Sequence, residues 1–191
     1  MILIIDNYDS FVYNIARYVE STGHETQVIR NDKITINQIE NLKPSHIIIS
    51  PGPGEPKSAG ISIDLIKYFY TKLPVLGICL GHQAIGYAFG SNIIKAKHPM
   101  HGKASFIYHN NNYIFNKLKS PISCGRYHSL IIDAINDNSE LEVIASSIEN
   151  EIMAIKHKIY PTFGVQFHPE SILTEYGIDI INNFVQINFI G

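Results

Sequence analysis

The sequence predicts an α/β fold: one doubly wound, mostly parallel sheet with helices on both faces, plus a small antiparallel addition late in the chain. Three observations carry this expectation. Short apolar runs alternate with helical patterns through the first half. The runs, such as Ile47-Ile48-Ile49, are apolar without interruption, which suits strands covered on both faces. The second half then breaks into short strand-like pieces with turn signals at Asn110–Asn112 and Asn136–Asn138.

Taken in order, residues 2–6 read as a strand. Residues 9–22 place Phe11, Ile15 and Tyr18 near helical spacing, with Gly23 as the stop and Asp9 or Ser10 as the N-cap. Residues 25–30 follow as a strand, 35–42 as a short helix and 46–50 as a third strand. Pro51-Gly52-Pro53-Gly54-Glu55-Pro56 is a loop. Residues 61–71 read as helix, 74–78 as strand and 80–89 as a helix ended by Gly90. Short strands are expected over 92–97, 104–109, 113–116, 128–133, 141–146, 152–158 and 162–167, with a closing helix at 175–187. No repeat, linker or low-complexity segment interrupts the 191 residues, which read as a single domain, 1–191.

Composition excludes several function classes. Apolar residues make up 45% and charged residues 17%, the balance of a folded globular chain. A net charge of −2 with no basic block argues against nucleic acid or an acidic membrane as partner. The start, Met1-Ile2-Leu3-Ile4-Ile5-Asp6, lacks a basic n-region, and no apolar run reaches membrane-spanning length. Two cysteines, Cys79 and Cys124, fit a reducing compartment. This points to the cytoplasm. Heavy use of Ile, Asn and Lys fits an AT-rich genome, so a plastid stroma is the other compartment expected.

The most informative segment is Gly77-Ile78-Cys79-Leu80-Gly81-His82-Gln83. Gly-x-Cys-x-Gly between strand and helix has the spacing of a nucleophile elbow, which lifts its central residue above the C-terminal edge of the sheet. A helix N-terminus favours a thiolate there, and the Leu80 N–H points where an oxyanion would form. On this segment alone, a small buried cysteine at a tight turn is an equal reading. His168 stands at the end of an expected strand over 163–167, in Gly164-Val165-Gln166-Phe167-His168-Pro169-Glu170. Pro169 keeps the chain extended at His168, so Glu170, two residues on, faces the same way and could hold the imidazole tautomer. One histidine among nine would be an ordinary core or surface residue without the cysteine elbow. The Gly52–Gly54 backbone could donate to an oxyanion or serve only as a rigid connector. Arg126-Tyr127-His128-Ser129-Leu130 could shape a pocket or be an edge strand. His98, His101 and His109 lack companions at ligand spacing, so no metal is expected.

With these residues in view, the chain resembles the class I (triad) glutamine amidotransferases, and within them the glutaminase subunits of anthranilate and aminodeoxychorismate synthases. The likeness rests on IDNYDSF at 5–11, SPGPGEP at 50–56, GICLGHQAIG at 77–86, HGK at 101–103, RYHSL at 126–130 and QFHPESILTEYG at 166–177. It implies a flavodoxin-like fold, Cys79 as nucleophile, and His168 and Glu170 as the rest of the triad. It also implies an oxyanion hole from the backbone at Gly52, Pro53, Gly54 and Leu80, with Gln83, Ser129 and Leu130 lining the pocket for L-glutamine. Ammonia would pass to a chorismate-using synthase large subunit, for anthranilate or, alternatively, aminodeoxychorismate, with no cofactor on this chain. The chain ends soon after the triad, so the synthase is expected on a separate chain. The rivals are a glutaminase serving guanylate or carbamoyl phosphate synthesis, a γ-glutamyl hydrolase with a similar elbow, and a catalytically silent binding subunit.

Overall fold

The structure, a computed structural model, describes residues 1–189. The first half alternates as expected: β1 (Ile2–Asp6), α1 (Val12–Ser21), β2 (Thr26–Arg30), α2 (Ile36–Leu42), β3 (His46–Ile49), α3 (Ser62–Phe69), β4 (Val75–Ile78) and α4 (Leu80–Ala88). The second half holds β5 (Ile93–Lys95), β6 (Lys103–His109), β7 (Ile122–Arg126), β8 (Leu130–Ile132), β9 (Leu141–Ser147), β10 (Ile152–His157) and β11 (Thr162–Val165), closed by α5 (Gly177–Val185).

The main sheet has nine strands in the order β2-β1-β3-β4-β11-β10-β9-β6-β7. The first five run parallel, β1 against β2 and β3, and β4 against β3 and β11. With β11 as fifth strand, this is the 2-1-3-4-5 order of flavodoxin-like sheets. The antiparallel addition continues the same sheet, because β11 pairs antiparallel with β10 on its other side. Strands β5 and β8 pair separately.

Uninterrupted apolar strands make sense once the two faces are separated. Ile2 and Ile4 join one core with Val12, Ile15 and Val19 of α1 and Ile180, Ile181 and Phe184 of α5. Leu3 and Ile5, pointing the opposite way, join a second core with Ile39 of α2, Leu65, Ile66 and Phe69 of α3, and Ala84 and Ile85 of α4. Strands β1, β3 and β4 therefore each serve two hydrophobic layers.

The structure departs from the sequence expectations at four places. Residues 113–116 are not a strand; Tyr113–Phe115 form a 3-10 turn. A strand that the pattern did not suggest, β7, runs through Ile-Ser-Cys-Gly-Arg, a weak strand sequence at the sheet edge that is held by pairing with β6. The first helix begins only at Val12, with Val12, Ile15, Ala16 and Val19 as its buried face, while Phe11 is 44% exposed. Asp9 still stabilises the entry: its Oδ2 accepts the Phe11 N–H at 2.8 Å. Last, β11 ends at Val165, so His168 lies beyond the strand.

Candidate active site

The parallel strands deliver their polar ends to one edge of the sheet. Asn7 follows β1, Ser50 follows β3, Cys79 follows β4 and Gln166 follows β11. Ligand crevices of open α/β sheets lie at this edge.

Cys79 occupies the turn from β4 into α4 with φ 52° and ψ −100°, a backbone conformation that costs a non-glycine residue free energy. Surrounding bonds hold it there. The Cys79 N–H donates to Val165 O of β11 at 2.8 Å, and its carbonyl accepts from Gln83 N at 3.0 Å to start the helix. A Cβ at Gly81 would strike the Ile49 backbone, so only glycine lets α4 start this close to β3.

His168 is reached differently from the extended segment expected. Its N–H donates to Gly125 O of β7 at 3.0 Å, and its carbonyl accepts from Ser171 N at 3.2 Å and Thr174 Oγ1 at 2.6 Å. A turn, rather than a strand, brings Glu170 back onto the ring: Nδ1 to Oε1 is 2.6 Å. Both residues are buried. Burial alone would lower the imidazole's proton affinity; the Cys79 sulfur and the Glu170 carboxylate outweigh it and raise the His168 pKa to about 10. His168 Nε2 makes no hydrogen bond of ordinary geometry, although the sulfur is near enough to act on its charge. Tyr127 packs edge-on against the ring, with centroids 4.9 Å apart.

A cavity of about 170 Å³ opens beside Cys79. Gly52, Pro53, Gly54, Leu80, Gln83, Ser129 and Leu130 all line it, so every pocket residue implied by the resemblance meets Cys79 there. Its size suits a small amino acid better than a drug-sized ligand. A larger groove of about 510 Å³, lined by Phe11, Arg17, Tyr18, His168, Glu170 and Ile172 among others, lies against the triad without reaching Cys79. Tyr127 lines both.

Several contributors were not evident from sequence reasoning. Asn7, which the sequence reading noted only within IDNYDSF, is a buried hub. Its N–H donates to Ser50 Oγ (2.9 Å), its Nδ2 to Ser50 O (2.8 Å), and its Oδ1 accepts from Asn31 Nδ2 (2.8 Å) and Ser62 Oγ (3.2 Å). These bonds clamp the start of the 51–54 loop to β1, with Gly52 packed directly on the Asn7 backbone. Gln166, fully buried, donates from Nε2 toward Cys79 Sγ at 3.7 Å and accepts from Gln83 Nε2 at 3.2 Å. The available signal was its place in QFHPES. Of the three histidines set aside as ligands, His109 stacks on Phe115 and bonds to Lys119 O. Among the described residues, no three His, Cys, Asp or Glu side chains gather as a metal site, and no helix is long and apolar enough to cross a membrane.

A model of the family described as glutamine amidotransferase class-I matches residues 3–187. The chain belongs to the class I glutamine amidotransferases. Among relatives, the bifunctional protein TrpGD of Thermotoga maritima is 53% identical over 97% of this chain, which spans only 32% of that longer protein. The aminodeoxychorismate/anthranilate synthase component 2 of Bacillus subtilis is 50% identical, covering 97% of this chain and 96% of its own. Among solved structures, a Thermoplasma acidophilum protein provisionally named as part of a GMP synthase superposes with TM-score 0.85 at 30% identity, over 96% of this chain and 91% of that one. The class I amidotransferase fold, with its mostly parallel sheet between helical layers, is thus the fold of this chain.

Proposed function

We propose that this chain is the glutaminase subunit of a chorismate-using synthase, releasing ammonia from L-glutamine for a separate large subunit that forms anthranilate. The observation that carries the reading is the pairing of a strained elbow cysteine, facing a small polar-lined cavity, with a buried His168–Glu170 dyad. The Cys79 thiolate attacks the side-chain amide carbon of glutamine. The oxyanion that forms is met by the Leu80 N–H at the start of α4 and by the Gly52–Gly54 backbone. His168, protonated across the physiological range because of its raised pKa, gives its proton to the departing nitrogen, and ammonia leaves. A γ-glutamyl thioester remains. Neutral His168 then takes a proton from water, the hydroxide adds to the thioester carbon, and the sulfur departs as thiolate. The balance is glutamine plus water to glutamate plus ammonia, with no external electron carrier required.

Support for the partner is by likeness: the Bacillus relative, matched over nearly its whole length, is named as component 2 of both aminodeoxychorismate and anthranilate synthases. Two free cysteines fit a reducing cytoplasm or plastid stroma. The test measures glutamate release with candidate large subunits, each with chorismate. Stimulation by an anthranilate-forming subunit is the expected outcome. Stimulation only by an aminodeoxychorismate-forming one moves the assignment to that product. Stimulation only by a guanylate- or carbamoyl phosphate-forming enzyme removes the chorismate reading altogether.

A further inference from the structure

Behind the glutamine cavity lies a chain of buried polar groups that the mechanism above does not use. It begins at Glu151, next to the turn between β9 and β10, whose carboxylate is paired with Arg126 Nη2 at the end of β7. The Arg126 side chain is 3% exposed and that of Glu151 14%, so Glu151 is the neutralising partner of a buried cation. Arg126 also donates from Nη1 to Ser105 Oγ at 3.3 Å and from Nε to His128 Nε2 at 3.0 Å.

That last bond decides the state of His128. A guanidinium has only donors, so His128 Nε2 must be the unprotonated acceptor and the ring proton must sit on Nδ1. Nδ1–H then donates to Leu130 O at 3.1 Å. Burial and, next, the adjacent Arg126 charge lower the His128 pKa to about 3; His82 and His168 act in the same direction, and only the Leu130 carbonyl opposes them. The ring is a neutral, one-way connector.

The Leu130 carbonyl receives a second donor, Gln83 Nε2, at 2.9 Å. The same amide nitrogen donates to Gln166 Oε1 at 3.2 Å, which orients Gln166 Nε2 toward Cys79 Sγ. Both hydrogens of the Gln83 amide are thereby committed to protein acceptors, its Oε1 takes no part in these bonds, and Gln83 and Leu130 both line the cavity.

We propose that Glu151, Arg126 and His128 form a positioning relay that fixes the Leu130 carbonyl and, through it, the orientation of Gln83 in the glutamine cavity. Its functional part rests on the glutaminase reading. His128 itself borders the cavity while Arg126 and Glu151 do not, and the relay acts through Leu130 and Gln83 rather than on the triad. Without the relay, the 130–131 peptide and the Gln83 amide lose a fixed direction, and the cavity accepts glutamine less readily while the His168–Glu170 pair, held by its own bonds, is untouched.

The test uses the full chain with glutamine as probe. In His128→Ala, KM for glutamine should rise about ten-fold, the scale of one buried hydrogen bond left unmade, while kcat stays within about three-fold. His128→Gln keeps one acceptor and one donor and should recover most of the loss. Glu151→Gln removes the charge that neutralises Arg126 and should raise KM in the same direction by a smaller factor. A KM change under about two-fold in folded His128→Ala, or equal losses in the Ala and Gln variants, overturns the proposal. Should His128→Ala fail to fold, Glu151→Gln, at the outer end of the relay, decides by the same split, and an unchanged KM there overturns it. Nitrogen NMR of His128 in the wild-type chain is an independent arm. An Nδ1–H tautomer constant from about pH 5 to about pH 9 is expected, and a ring that carries its proton on Nε2 or titrates near 6.5 overturns the relay whatever the turnover. A wild-type chain that releases no glutamate overturns the glutaminase reading instead, while the tautomer still decides whether the relay exists.

Discussion

Cys79 and Cys124 are the same side chain in two halves of one sheet, and their surroundings give them opposite chemistry. Cys79 leaves the parallel half at the end of β4, in a backbone conformation with positive φ, beside a cavity and near an imidazole that holds its proton to about pH 10. Cys124 sits mid-strand in β7 of the antiparallel half, fully buried, paired with Ser105 across the ladder. Burial pushes the Cys124 thiol far above its ordinary range, and the nearby Glu175 carboxylate adds to this against a smaller opposing effect from Arg126. Reactivity in this protein is a property of place: the C-terminal edge of the parallel strands supplies helix N-termini and open space, whereas antiparallel strand interiors supply neither.

The comparison is broken most severely by exchanging the nucleophile. Cys79→Ser should lower glutamine-dependent turnover by about 10⁴-fold or more, with ammonia-dependent synthesis by the complex retained, whereas Cys124→Ser should keep glutaminase activity within about two-fold. Equal loss of glutamine- and ammonia-dependent synthesis in Cys79→Ser would remove the division of labour between the two chains.

Next in size is the support given to His168. Glu170→Gln should reduce kcat by about 10²-fold or more. Because the carboxylate raises the His168 pKa, its loss should also move the alkaline limb of the rate profile below that of the wild type, which is expected near pH 10. Stability follows the same sign. The folded pKa lies above the ordinary 6.5, so the stabilisation is complete below about pH 6.5 and disappears as pH rises through about 10. Denaturant midpoints measured across that window should fall for the wild type and fall less for Glu170→Gln.

A glutamine-like electrophile at neutral pH should label Cys79 over Cys124 by about 100-fold or more, since Cys79 lines the cavity while burial keeps the Cys124 thiol protonated and out of reach. Mass spectrometry of singly labelled chain reads the ratio, and dominant labelling of Cys124 would reverse the comparison.

The smallest effect belongs to Cys124 itself. Cys124→Ser places a hydroxyl at a fully buried site and should destabilise the fold by about 1–3 kcal/mol, measured by denaturant unfolding. A neutral result would mean that β7 tolerates polarity at its centre.

Much of the parallel half was legible because its signals are local. A strand buried on both faces must be apolar throughout, so Ile47-Ile48-Ile49 declares itself, and a chain reversing at Cys79 needs small neighbours, so the glycines declare the elbow. The antiparallel half was less legible. β7 contains Ser, Cys, Gly and Arg, which carry little strand preference, and exists because β6 offers a complementary edge. Tyr113–Phe115 has the apolar character of a strand but forms a short turn, with Ile114 and Phe115 buried in the core and α5 packed against it.

The residue types at the site and their order along the chain were set by the sequence alone: a cysteine framed for an elbow, a histidine and a glutamate two apart, and a glycine-rich loop after a buried strand. Only the tertiary structure decided their meeting. His168 and Glu170 pair through a turn that depends on the Gly125 carbonyl of a distant strand. Asn7 became a clamp on Ser50 because β1 and β3 lie side by side. Arg126 found its carboxylate 25 positions away. Such hydrogen bonds join groups remote in sequence, and no periodicity or propensity encodes a partner that only folding brings within about 3 Å.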